Sequence, residues 1–150
     1  NPCAHHRKGL VAMAKESGLA ITTLTIDDSA GAGQDLRNDI TSFNLSTPRA
    51  LQDVTGIDKS AMERLTLLAD GQLGLTGVFN DVATKSHVVF KNFDTLAASQ
   101  VGRTVAINIS GQTLNMEMLF NDYALARGAD GSLNWTTTGN LSDGTKPAWS

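Results

Sequence analysis

The chain of 150 residues has the length of about one domain, enough to bury a single core without staples. Twelve Lys and Arg against fifteen Asp and Glu leave a formal charge of −3, which argues against the basic surface that sequence-reading nucleic-acid binders need. That balance still admits a protein that encloses nucleic acid without gripping it. A hydrophobic share of 41% argues against disorder, 18% charged residues against a coiled coil, and the single Cys3 against an intrachain disulfide. No apolar run approaches the roughly 20 residues of a helical bilayer span, so no membrane insertion is expected.

Residues 1–18 are locally basic through Arg7, Lys8 and Lys15. The apolar stretch 10–14 is too short for a secretory core, and Met13-Ala14-Lys15 reads as a translation start. Residues 1–14 are therefore expected to be a flexible arm or leader, residues 15–138 a β-sandwich domain, and residues 139–150 a C-terminal arm. Residues 19–26 alternate with β-branched enrichment, as a strand does, and residues 27–33 form a loop by composition. Residues 40–45 and 50–54 are short strands joined across Ser46-Thr47-Pro48. Ser60-Ala61-Met62-Glu63 is a capping-box pattern with Ser60 and Glu63 as its partners. Ala61, Leu65 and Leu68 continue it as a narrow apolar stripe, predicting a short helix that ends at Asp70-Gly71. Further strands are expected over residues 72–79, 87–91, 103–109, 113–120, 123–127 and 132–138, with Asn121-Asp122 and Asp130-Gly131 as hairpin turns. Residues 93–99 are expected to form one helical turn. The fold class is mainly β: a sandwich or barrel-like fold with one short flanking α-helix and extended terminal arms.

Catalytic and metal signatures are weak. Cys3, His5 and His6 are ligand types for zinc or nickel, but a structural site needs a fourth ligand and a folded frame, and this segment reads as flexible. His87 follows Ser86, but no nucleophile elbow accompanies them, so His87 reads as a surface or interface residue. Asp27, Asp28 and Asp35 lack calcium-loop spacing, and Gly31-Ala32-Gly33 lacks the third glycine of a dinucleotide fingerprint. Gly71, Gly74 and Gly77 recur every three residues in a strand, which points to a bulge or a close backbone approach. The sequons at Asn44, Asn108, Asn134 and Asn140 are read as unglycosylated, in the absence of a signal sequence. No enzyme, cofactor or metal is expected.

Strands with so little charge present an edge problem, because exposed edges recruit other chains. Residues 103–109 carry only Arg103, and residues 72–79 carry no charge. Either these strands lie at the centre of a monomeric sandwich, or the subunit pairs with copies of itself. The segments 38–46, 51–58, 60–65, 67–80 and 143–149, in that order, resemble the major tail (tail tube) proteins of long-tailed, siphophage-type bacteriophages, over roughly residues 15–150. The resemblance implies hexameric rings whose inner sheets join edge to edge and stack into a hollow tube in the virion tail, assembled in the host cytoplasm. It implies as partners an initiator or distal tail protein, a tape measure and a terminator, with genomic double-stranded DNA passing through unbound. Candidate ring-sheet residues are Ile40, Ser42, Asn44, Leu73, Leu75, Gly77, Phe79 and Arg103. Candidate ring-stacking residues are Thr47, Pro48, Arg49, Lys146 and Trp149, together with the N-terminal arm. Two alternatives stand beside this reading. One is the tube of a contractile tail, secretion system or gene-transfer particle. The other is a monomeric carbohydrate-binding module using Tyr123, Trp135 and Trp149.

Overall fold

The computed structural model describes residues 15–92 and 101–150. The predicted arm at 1–14, the Cys3, His5 and His6 group, and the helical turn at 93–99 fall outside those residues. A 3-10 turn at Gly18–Ala20 leads into β1 (Ile21–Asp27), followed by β2 (Gly33–Asp35), β3 (Ile40–Ser46), β4 (Arg49–Asp53), β5 (Arg64–Ala69) and β6 (Gln72–Val78). Then come α1 (Ser86–Phe90), β7 (Arg103–Ile109), β8 (Gln112–Phe120), β9 (Ala124–Arg127), β10 (Leu133–Leu141) and β11 (Ala148–Trp149).

Alternation explains the main sheet. In β7, Val105 and Ile107 are buried while Thr104 and Ala106 face outward, and β8 buries Leu114, Met116, Met118 and Phe120 in the same rhythm. The turn between them is Ser110-Gly111, both at positive φ (50° and 83°), the two-residue geometry that matches strand twist. Nine strands form one antiparallel sheet in the order β2-β1-β7-β8-β10-β6-β3, with β9 on β10 and β11 on β8. The two ends of that sheet meet. Buried Leu36, just after β2, donates its N–H to Leu24 O in β1, and Ile40 at the head of β3 donates to Leu36 O. The sheet thus folds over one core in a sandwich-like arrangement, with Leu24, Val105, Met118, Leu73, Leu75 and Trp135 drawn from both halves. Mainly-β architecture, with one short α-helix among the described residues, is the expected fold class.

Three local expectations are corrected. The helix predicted from the Ser60 and Glu63 capping box is absent; both residues lie in the exposed loop between β4 and β5, which pair as a hairpin. Thr55 removes the capping geometry: its hydroxyl donates to Asp53 Oδ1 at 2.6 Å and accepts the Glu63 N–H at 2.8 Å, while Val54 N–H binds Glu63 O. The strand predicted at 87–91 is instead α1. Val88 and Val89 favour strand locally, but helical spacing places Ser86, Val89 and Phe90 together in the core, where Phe90 meets Phe120 and Trp135 with ring centroids 5.7 and 5.2 Å away. Asn121-Asp122 is not a hairpin turn either. β8 and β9 run one after the other along the same edge of β10, pairing with its end and its beginning respectively. The hairpin turn falls only at Asp130-Gly131, where Asp130 Oδ1 accepts the Ser132 N–H and Gly131 takes φ 91°.

Candidate assembly surfaces

Four features distinguish the molecule: a free sheet edge, an uncharged sheet face, an uncovered hairpin and a buried polar pin. β3 ends the sheet and pairs on one side only, with β6. Apart from the Ile40 N–H, which Leu36 O takes, its N–H and C=O groups on the other side have no strand partner among the described residues, which is the arrangement that permits edge-to-edge addition. Ile40, Ser42 and Asn44 therefore lie on the free edge. Leu73, Leu75 and Gly77 lie one strand inward, and all three point into the core. Gly77 is required there: a Cβ would fall 2.4 Å from Trp135 Cζ2 and 2.6 Å from Asp39 O, the close approach that the glycine spacing announced. Phe79 is half-buried beside His87.

Apart from the Asn134–Val78 pair at its end, where Val78 is exposed, the outward face of β3, β6 and β10 consists of three cross-strand rows, Ser42–Thr76–Thr136, Asn44–Gly74–Thr138 and Ser46–Gln72–Asn140. No charged and no aliphatic side chain occurs in them. Gly74 leaves a shallow depression of about 260 Å³ in the middle of this face. The first carboxylate met across the sheet is Glu117 on β8, which accepts a hydrogen bond from Thr104.

The β4–β5 hairpin pairs only with itself, and all but its last strand residue are exposed. Leu51, Met62, Leu65 and Leu68 are all more than half exposed, Leu68 at 86%. A two-stranded ribbon is marginal in water without packing, and among the described residues these apolar side chains have little cover. Thr47, Pro48 and Arg49 form its base, where Asp70 N–H binds Pro48 O and Arg49 Nη1 reaches Leu67 O. The C-terminal segment passes the same place, with Pro147 against Gly71. Exposed Lys146 adjoins that contact, so four of the five predicted stacking residues gather near the base of the hairpin. Trp149 lies farther along, half exposed, on β11 beside Leu114. Residues 139–141 continue β10 and residues 148–149 pair with β8, so the predicted C-terminal arm rests on the body.

Arg103 is corrected from interface to interior. It is 2% exposed, and its Nη1 donates to the carbonyls of Asp27 (3.1 Å) and Val89 (2.6 Å), tying α1 to the sheet. Burial lowers its pKa, opposed by the charges of Asp28 and Asp27. No sequence signal marked Asp39, which joins three elements. Its Oδ1 accepts from Asn80 Nδ2 at 2.8 Å, its Oδ2 from the Ser86 N–H at 3.0 Å, and its backbone O from the Val78 N–H. Burial alone would raise this carboxyl, but the hydrogen bonds from Asn80 and Ser86 outweigh it and hold the pKa below the ordinary value. The Tyr123 phenol is pushed up to about 12 by burial and by the Asp39 charge, so it stays neutral.

Ser86 and His87 form no nucleophilic pair with access to a substrate, because Ser86 is fully buried while His87 sits half-buried between Phe79 and Tyr123. Among the described residues no group of three or more His, Cys, Asp or Glu side chains is placed to hold a metal. No helix among them is long and apolar enough to cross a membrane. A sugar-stacking platform also fails, since Trp135 is fully buried and Tyr123 packs beside it, leaving Trp149 alone at the surface.

These features belong to a mainly-β, sandwich-like fold. Solved structures share that fold along nearly the whole chain. One is a chain of the virion of a native gene transfer agent particle, with TM-score 0.68 at 11% identity, covering 91% of this chain and 99% of that one. Another comes from the tail of an empty gene transfer agent particle with C6 symmetry, with TM-score 0.65 at 15% identity and coverages of 91% and 98%. No known family profile and no curated protein sequence matches the chain. The resemblance read over roughly residues 15–150 to the major tail (tail tube) proteins of siphophage-type bacteriophages is borne out as a likeness of fold to gene transfer agent virion and tail chains.

Proposed function

We propose that this chain is a non-enzymatic structural subunit of a tail tube. Hexameric rings join through their sheets, stack into a hollow cylinder and give double-stranded DNA a path from particle to host. The observation that carries the reading is the end-to-end likeness of fold to a chain from a C6-symmetric tail. The molecule supports it with a β3 edge and an apolar hairpin that are left uncovered among the described residues. Six-fold closure consumes the free edge, and stacking covers the hairpin. In this reading the ring sheet uses the Ile40, Ser42 and Asn44 edge backed by Leu73, Leu75 and Gly77, with Phe79 at its end. Thr47, Pro48, Arg49, Lys146 and Trp149 serve the contact between rings. The partners are an initiator, a tape measure and a terminator protein at the ends and centre of the tube. The gene transfer agent neighbours favour a particle of that kind or a siphophage as its setting.

The test is sedimentation velocity of the purified chain across concentration, beside a Leu65→Asp, Leu68→Asp double variant. The wild type should polymerise with rising concentration, and the variant should stop at rings or monomers with unchanged far-ultraviolet circular dichroism. A wild type that stays monomeric at every concentration would overturn the reading.

A further inference from the structure

Resting on the tube reading, we propose that the three polar rows on β3, β6 and β10 form the lumenal wall, and that DNA passes over an uncharged hydroxyl and amide surface rather than an acidic one. Three observations select this face. It carries no charge although 18% of the chain is charged, and a soluble surface carries roughly 25–35% charged residues. Nearby charges lie on other surfaces: Arg49, Asp53, Asp58, Lys59, Glu63 and Arg64 sit on or between the hairpin strands. Next, the face is no buried protein contact by composition, since interface cores are enriched in aromatic and apolar groups, and Val78 at its end is the one apolar side chain beside these rows on β3, β6 and β10. Finally, the face runs out to the free β3 edge, so edge-to-edge addition of a second copy would carry it on as one continuous wall.

Its chemistry suits a sliding polyanion. Lysine and arginine hold DNA by releasing counterions, and that hold scales with the number of phosphates neutralised. Carboxylates would instead raise a repulsive barrier to entry. Ser, Thr, Asn and Gln groups keep a hydrated wall that offers only neutral hydrogen bonds, each readily exchanged with water.

The test uses Thr76→Cys and Thr138→Cys, each in a Cys3→Ser background, labelled with a small maleimide or a bulky poly(ethylene glycol) maleimide. In disassembled protein both reagents should react. In tubes the small reagent should still react, while the bulky one should be excluded by at least about tenfold in rate. Full bulky labelling in tubes would place the face outside, and loss of both reactions would place it between copies; either overturns the proposal. Failure of the wild type to form tubes would overturn the tube reading and this one together, and is seen before any label is added. A second measurement addresses the charge. Wild-type tubes should retain no short double-stranded DNA at low salt. Thr76→Lys tubes should retain it at least about tenfold more, with release as salt rises. Salt-dependent retention by the wild type would contradict an uncharged wall.

Discussion

Asp39 connects the head of β3 to the end of β6 and the start of α1 through two side-chain acceptors and one backbone carbonyl. Its carboxyl is held below the ordinary value in the folded state, so its contribution to stability is present above about pH 4 and is lost as pH falls through the folded pKa. Asp39→Asn should cost about 1–3 kcal/mol near neutral pH, the range for hydrogen bonds made by a charged group. The variant's stability should also fall less than the wild type's between about pH 5 and pH 3. Urea titrations at several pH values check both points, and parallel curves would remove Asp39 from this role. Gly77 makes a separate demand, because any Cβ there meets Trp135 and the Asp39 carbonyl at less than contact distance. Gly77→Ala should lower stability by about 1–3 kcal/mol through overpacking, read from the same titrations. The two sites share Asp39, so the double variant should be non-additive.

At the level of elements, the hairpin carries the sharpest conflict between local signal and outcome. Ser60, Glu63, Leu65 and Leu68 fit a capped helix by spacing, yet Leu65 and Leu67 fit a strand equally well. Thr55 and Asp53 settle the choice through contacts that reach eight residues along the chain. The α1 segment was obscured for a similar reason: Val88-Val89-Phe90 reads as strand, and the aromatic pocket that makes it helical is assembled from β8 and β10. Strands with strong alternation were legible. β7 matches its expected bounds, while β3, β4, β6 and β8 match within a residue or two at each end. β11 depends on a distant partner in β8, so residues 148–149 offered only Trp149 as a hint. Trp149→Ala should leave the secondary structure unchanged but weaken polymerisation, measured as at least about a threefold rise in the concentration needed to form tubes; an unchanged threshold would confine Trp149 to the subunit.

Across the whole molecule, the residues that assemble the subunit and those that would assemble the tube are largely separate. Arg103, Leu73, Leu75 and Gly77 are committed to the interior, whereas Ser42, Asn44, Leu65 and Leu68 stay exposed. Sequence reading assigned residues of both β3 and β6 to the candidate ring sheet but did not separate their inward from their outward residues. The β-bulge between Ile40 and Ser42 shifts the register there, and a one-residue shift exchanges the two faces. Arg103 was misplaced because a lone charge in an apolar strand reads as an exposed edge, while its carbonyl partners, Asp27 and Val89, lie far off in sequence. The tube itself is most directly tested by electron microscopy of the purified chain at high concentration, with rotational averaging of end-on views. Hollow cylinders of uniform diameter with six-fold symmetry are the predicted result. Isolated monomers, or filaments with no central channel, would contradict the account.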